Sequence, residues 1–351
     1  MDPIRKAVIR AGFEAIYFSG AHRIGRPLFA GLGAILMFHR VLPASAAEFQ
    51  PNQLLEVTPE FLDLAVTAIR SADFDIVSLD EAVQRLNEPN GRRFVVLTFD
   101  DGYRDTLEYA LPVLERHDAP FTVYLPSSFA DGDGEIWWVI LEEAIARHPA
   151  IEVEMDGGRR TFHCATPETK QATYDVLYAY LRSRPTWDEA MEFVRQIAFS
   201  YGVNAAEQCR TLCMNWDDVA TLGRSPLATI AGHTVTHPVL SRLPMRDALD
   251  EMSNSASRIA EMTGTRPAHF SYPIGSPEAA GTREFGLARE VGFATAVTTR
   301  AGVLHGEHAD YLTALPRISV NGAFQRLRYV DVLLSGVATA LANGFRRVDA
   351  A

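Results

Sequence analysis

The sequence predicts an α/β protein, a barrel of parallel β/α units interrupted by a mainly helical insertion. Three observations carry this. Short apolar runs recur along the chain, each followed by a loop and then a helical pattern. There are about seven such runs, and strands that alternate with helices build parallel β/α units. Between Ala130 and Arg224 that rhythm gives way to a hairpin pattern and a series of helices.

The expected strands are Ala34–Phe38, Val95–Phe99, Phe121–Leu125, Ala228–Ala231, His269–Tyr272, Ala294–Thr298 and Ile318–Val320. The expected barrel helices are Thr58–Ser71, Leu79–Leu86, Tyr103–Arg116, Met245–Thr263 and Thr282–Val291. Thr58 and Thr282 are the expected N-caps. Pro59 then takes the first helical position, and Glu60 and Glu284 fall in first turns, where the helix dipole favours an anion. Gly264 and Gly292 stand where helices should stop. In the insertion, Ile151–Met155, the turn Asp156-Gly157-Gly158 and Arg160–His163 read as a hairpin. Trp138–Arg147, Glu168–Arg182, Trp187–Ser200 and Ala205–Cys213 read as helices, punctuated by Pro149, Pro167 and Pro185. The first twenty residues follow an amphipathic pattern from Ile4 through Val8, Ile9, Phe13, Ile16 and Tyr17, and Phe324–Asn343 is helical with one apolar face. The resulting division is an amphipathic helical segment (1–30), a first barrel part (31–130), the insertion (131–224), a second barrel part (225–325) and a C-terminal helix (326–351).

The bulk properties narrow the function. The chain has 351 residues, 47% hydrophobic and 22% charged, with a formal net charge of -11. An acidic chain without a basic stripe argues against nucleic-acid binding, which needs clustered Lys and Arg. Three cysteines, Cys164, Cys209 and Cys213, do not suggest a disulfide framework. With His163 they could form a second metal site, but buried thiols are the favoured reading. Arg5, Lys6, Arg10, Arg23 and Arg26 precede an apolar run and Ala44-Ser45-Ala46, which superficially resembles a secretory signal. The long, mixed basic leader and the short apolar run count against that, so the expectation is a cytoplasmic protein, peripheral at the membrane if the amphipathic segment meets a lipid surface.

The chemistry lies in two motifs. Thr98-Phe99-Asp100-Asp101-Gly102 places adjacent carboxylates at the end of an apolar run. His233-Thr234-Val235-Thr236-His237 places two imidazoles four residues apart after another. One carboxylate with two histidines is a ligand set for a divalent metal that leaves coordination positions open. The second carboxylate is then free to act as a base. His39 follows the first strand, and barrel active sites gather at strand C-terminal ends.

These motifs resemble those of the polysaccharide deacetylase family, also called carbohydrate esterase family 4 or the NodB-homology family. Thr98 to Gly102 matches its TFDDG motif, His233 to His237 its His-Thr-x-x-His motif, and Phe270-Ser271-Tyr272-Pro273-Ile274-Gly275 is similar to its Phe-Arg-Pro-Pro-x-Gly element. The resemblance implies a distorted (β/α)7 barrel. It implies that Asp101, His233 and His237 bind the metal, that Asp100 is the general base and that a backbone N–H near Ile274 holds the oxyanion, with Tyr272 and Pro273 beside it. Leu36-Met37-Phe38-His39-Arg40-Val41 resembles the Tyr-His-x-Val element of the permuted poly-N-acetylglucosamine deacetylase branch. That makes His39 the acid in preference to His305, which lies in a polar loop. Ser271 stands where many members carry an arginine, and Arg317 is positioned to supply a guanidinium instead. Zinc is the expected metal, and the donors also suit cobalt, nickel, iron or manganese. The expected reaction is N-deacetylation of a GlcNAc-like sugar in an oligosaccharide, polysaccharide or lipid-linked glycan precursor. O-deacetylation, hydrolysis of a non-sugar amide and non-catalytic glycan binding are the alternatives.

Overall fold

The structure, a computed structural model, describes residues 3–88 and 91–350. Seven parallel strands close into a barrel: β1 (Gly33–Phe38), β2 (Arg93–Phe99), β3 (Phe121–Leu125), β4 (Ala228–Gly232), β5 (His269–Ser271), β6 (Thr295–Ala301) and β7 (Leu315–Ser319). Each strand pairs with the next in sequence, and β7 returns to β1. A short strand, Phe74–Ile76, adds to β2 outside the ring. The distortion is local. β4 and β5 meet at the single pair Gly232 and Phe270, and the β6–β7 register slips between Val297 and Ala301.

Alternation along each strand sorts side chains into two layers. Leu36, Val95, Leu97, Phe121 and Val123 face outward, where they pack with Leu62, Val66 and Ile69 of the helix Pro59–Ser71. Ile35, Val96, Tyr124 and Val297 form a separate buried cluster with Leu79, Ala82 and Leu86 of the helix Leu79–Asn87. Most helix ends follow the local chemistry. Thr58 caps with its Oγ1 accepting from the Phe61 N–H, and Gly264 and Gly292 adopt left-handed C-caps. Thr282 is not a cap: Gly281 takes that place, and the Glu284 carboxylate accepts from its N–H at 2.8 Å.

Three elements depart from expectation. The last strand lies at Leu315–Ser319 rather than at 318–320. The segment after Gly102 includes a π-helical turn, Thr106–Ala110, before the helix Leu111–Arg116. Both chain ends form two helices where one was expected: Pro3–Phe18 with Ala21–Phe29, and Leu327–Leu334 with Val337–Ala342. The C-terminal break falls at Gly336, whose φ is 72° and where a Cβ would collide with the Phe29 carbonyl. Gly336→Ala should therefore cost more than about 2 kcal/mol, read as a lower denaturation midpoint with an unchanged m-value.

The insertion between β3 and β4 has its own core. Ile140, Leu141 and Ile145 pack with Leu177, Val194 and Ile197, and the hairpin Ala150–Met155 with Gly158–His163 adds Ile151 and Val153. Trp137 and Trp138 belong to that core, and Trp216, half-buried against the outer barrel cluster, donates to Asp131 at 2.7 Å. Cys164, Cys209 and Cys213 are buried free thiols, whereas His163 is exposed.

Candidate metal centre and active site

The upper rim of the barrel collects polar side chains from sequence positions far apart. Asp100 and Asp101 follow β2, His233 follows β4, and Arg317 lies on β7. Asp101 Oδ1 is 3.4 Å from His233 Nε2 and 3.4 Å from His237 Nε2, and all three side chains are buried. Among the described residues, this is the one group of three or more His, Cys, Asp or Glu side chains whose donor atoms converge.

The spacing fits a shared cation better than direct hydrogen bonds. Ligand atoms about 2.0–2.1 Å from a tetrahedral ion lie roughly 3.3 Å apart, whereas an N–H···O bond is normally about 2.9 Å. The protonation states fit as well. His233 Nδ1 donates to the Ser271 carbonyl at 2.7 Å, which leaves its Nε2 lone pair facing Asp101. Burial pushes the His237 imidazole down, towards the neutral form a ligand requires. Burial alone would raise Asp101, but the imidazoles of His233 and His237 hold it far below the usual carboxylate range.

Backbone strain concentrates here. Asp101, Thr234, His237 and Ile274 all have φ between 60° and 70°. For β-branched Thr and Ile that conformation is rare, and it persists only where the surroundings impose it. For the histidine loop, the Glu251 carboxylate supplies the constraint. It accepts from the N–H of Val235 (2.7 Å), the N–H of Thr236 (2.9 Å) and the Thr236 hydroxyl (2.8 Å). Glu251→Ala should weaken zinc binding by about 10- to 100-fold in an equilibrium titration, because the loop holding His237 loses its anchor.

Asp100 stands outside the three-residue cluster. Its N–H donates to the Phe38 carbonyl at 3.0 Å, which ties the tops of β1 and β2 together. Arg317, buried and pointing inward from β7, grips it with both arms: Nη1 to Oδ1 at 2.6 Å and Nη2 to Oδ2 at 2.7 Å. The rest of the guanidinium is also satisfied. Nε donates to the Thr298 carbonyl (2.9 Å), and Nη2 also reaches Ser271 Oγ (2.9 Å). Burial would push Asp100 up, but the Arg317 charge overrides it and holds the carboxyl below its ordinary range. Ser271 is thus a partner of the arginine on β7.

His39 follows β1 on the same rim, and its charge helps hold both Asp100 and Asp101 down. His305 does not belong to this site. Leu304 pairs with Gly33 at the start of β1, at the opposite mouth of the barrel, and β1 alone spans roughly 17 Å. Tyr272 requires a correction too. It alternates outward after Ser271, packs against Phe270 and Phe285, and donates its hydroxyl to the Thr313 carbonyl at 2.8 Å, so its side chain cannot face a substrate. Pro273 follows it, and its carbonyl accepts from the Gly275 N–H at 2.7 Å. The Ile274 N–H has no acceptor among the described residues.

Sequence reasoning overlooked the second layer of contacts. Asp105 accepts from Arg40 Nε (2.8 Å) and from the Val41 N–H (2.9 Å), which clamps the segment carrying His39. The Arg40 guanidinium lies over the Tyr103 ring, whose hydroxyl accepts from Trp138 Nε1 at 2.9 Å. Trp138 in turn lies against His237, ring centroids 5.0 Å apart. Asp105 stands four residues after Asp101 and was within reach of motif reading. Glu251 and Trp138 carry no local signal, because their partners are distant in sequence.

The rim of the parallel barrel thus carries an Asp-His-His cluster whose donors could hold a divalent ion and, beside it, a separate carboxylate held by an arginine. The profile of the polysaccharide deacetylase family matches residues 87–153 and 191–294. The chain belongs to this family of sugar deacetylases, and is by class a hydrolase. The profile leaves unmatched the stretch that holds the second hairpin strand and the helix Pro167–Arg182. No protein of curated function matches the sequence. Solved structures share the fold, among them the following three. Streptococcus pyogenes deacetylase PplD in complex with acetate has a TM-score of 0.55 and 18% identity, over 82% of this chain and 92% of that one. IcaB from Ammonifex degensii has a TM-score of 0.52 and 18% identity, over 83% and 92%. The de-N-acetylase from Aggregatibacter actinomycetemcomitans has a TM-score of 0.52 and 14% identity, over 83% and 95%.

Proposed function

We propose that the protein is a metal-dependent N-deacetylase that hydrolyses the acetamide of a GlcNAc-like sugar to a free amine and acetate. The substrate is an oligosaccharide, a polysaccharide or a lipid-linked glycan precursor. The observation that carries this reading is the division of labour between adjacent carboxylates: Asp101 joins two imidazoles, and Asp100 is held apart by Arg317. Asp101, His233 and His237 would hold the ion, zinc by their donor chemistry. When bound, such an ion acidifies water and polarises an amide carbonyl.

The chain's own groups do the rest. Asp100 is ionised at neutral pH, and pairing with Arg317 leaves lone pairs on both oxygens, so it can take the proton of the attacking water. The free Ile274 N–H, fixed by its left-handed backbone, is the donor for the developing oxyanion. His39 gives a proton to the departing amine, which is otherwise a poor leaving group. The Asp105 clamp on Arg40 and Val41 positions it.

The test is amine release from N-acetylglucosamine oligomers, compared with acetate release from O-acetylated glycans. Activity should vanish on chelation and return with zinc. His39→Ala should lower kcat by about 10²- to 10⁴-fold, with His305→Ala as the control at the far end of the barrel. Acetate release from O-acetylated glycans alone would move the assignment to an esterase.

A further inference from the structure

The helices at the chain ends form a surface whose apolar and basic residues the catalytic site does not use. The helix Pro3–Phe18 is apolar on two faces. Phe13 and Tyr17 turn inward, and the Phe13 ring lies 5.4 Å from Phe324 and 5.2 Å from Tyr329. On the opposite face Val8, Ala11, Ala15 and Phe18 fall on one stripe at helical spacing, all exposed. The next helix, Ala21–Phe29, continues this with Ile24 and Leu28, one turn apart. Exposure is 64% at Val8, 74% at Phe18, 80% at Ile24 and 70% at Leu28. Leu341 and Phe345 add to the same helical group, which packs together through the helix Val337–Ala342. Isolated exposed apolar residues are ordinary, but a stripe spanning two helices marks an interaction surface.

The charge around the stripe identifies its occupant. The first thirty residues carry five basic and two acidic side chains, in a chain of net charge -11. Arg5, Arg10 and Arg23 are exposed on these helices. Glu14 is turned inward onto Arg328 at 2.6 Å and Tyr329 at 2.6 Å, so it does not offset them. A second copy docking on this face in a symmetric dimer would bring the arginines together. An anionic surface instead complements them. No described helix is long and apolar enough to cross a membrane.

We propose that this pair of helices lies flat on an anionic lipid bilayer, with Val8, Phe18, Ile24 and Leu28 entering the interface and Arg5, Arg10 and Arg23 meeting lipid phosphates. Bound so, the surface has the composition of an interfacial helix: an apolar face, flanking cations and no spanning length. The inference is independent of the deacetylase assignment.

Co-sedimentation of the full chain tests it, with vesicles of phosphatidylglycerol and phosphatidylcholine in equal parts, compared with phosphatidylcholine alone. The chain should sediment with the anionic vesicles and be released by salt. Phe18→Asp with Ile24→Asp should lower partitioning by more than about tenfold. Arg5→Glu with Arg10→Glu should lower it by about tenfold on anionic vesicles only. These residues are exposed, so the thermal midpoint should hold in both variants. Failure of the chain to bind, or equal binding by the variants, would overturn the proposal. So would a dimer in solution that Phe18→Asp converts to monomer, since the stripe would then be a protein interface.

Discussion

Asp100→Asn should reduce hydrolysis of N-acetylated oligomers by about 10²- to 10⁴-fold while zinc still binds. The two halves of this expectation have separate structural origins. Asparagine has nearly the shape of aspartate but cannot accept the proton of the attacking water. The ion site draws on Asp101, His233 and His237, which the change leaves in place. A cost in stability accompanies it. The Arg317 guanidinium is buried and would lose its countercharge, a loss of about 3–5 kcal/mol for a broken buried pair. Activity should therefore be measured well below the lowered melting midpoint, with zinc stoichiometry determined on the same sample. Near-normal turnover would remove Asp100 from the chemistry.

Arg317→Met should produce the second large effect, through the other partner. Asp100 would then be a carboxylate with 3% of its surface exposed and no cation gripping it. The expected loss of stability is again about 3–5 kcal/mol, and kcat should fall because the base is no longer held in one orientation. Arg317→Lys should restore only part of this: it keeps the charge but cannot donate in parallel to both oxygens. The decisive comparison is the double variant Asp100→Asn with Arg317→Met. Neither buried group then carries an unmet charge, so the double variant should be more stable than either single one. Additive losses would mean that the pair is not coupled as its 2.6 and 2.7 Å contacts indicate.

The relation between Arg317 and Ser271 shows how much of this site was legible beforehand. The departure at Ser271 from the family pattern was visible in the sequence, and so was a nearby arginine. That the two share one carboxylate follows from geometry: Ser271 and Arg317 both alternate inward at the same height of the barrel. The same arginine explains the misplaced last strand. Leu315-Pro316-Arg317 does not read as a buried run, because a charged residue interrupts it. Its burial is tolerable only because Asp100, 217 residues away in sequence, neutralises it.

The two candidate acids, His39 and His305, show the same division. His39 ends an apolar run and fits the Tyr-His-x-Val element, whereas His305 lies in a polar loop, so the sequence already favours His39. Strand direction separates them, since one lies where β1 ends and the other beside where it begins. Tyr272 was misjudged because a motif does not say which way a side chain alternates. Glu251, Asp105 and Trp138 were overlooked because each acts on its partner through contacts that only folding creates.

The sequence by itself determined the barrel class, the approximate position of every barrel strand, the helical insertion and the carboxylate and imidazole motifs, because apolar periodicity and turn chemistry act over a few neighbouring residues. The tertiary structure alone decided that Arg317 grips both oxygens of Asp100, that His305 lies at the far mouth of the barrel, and what restrains the strained loops. Those facts are distances between residues brought together only by closing β7 onto β1.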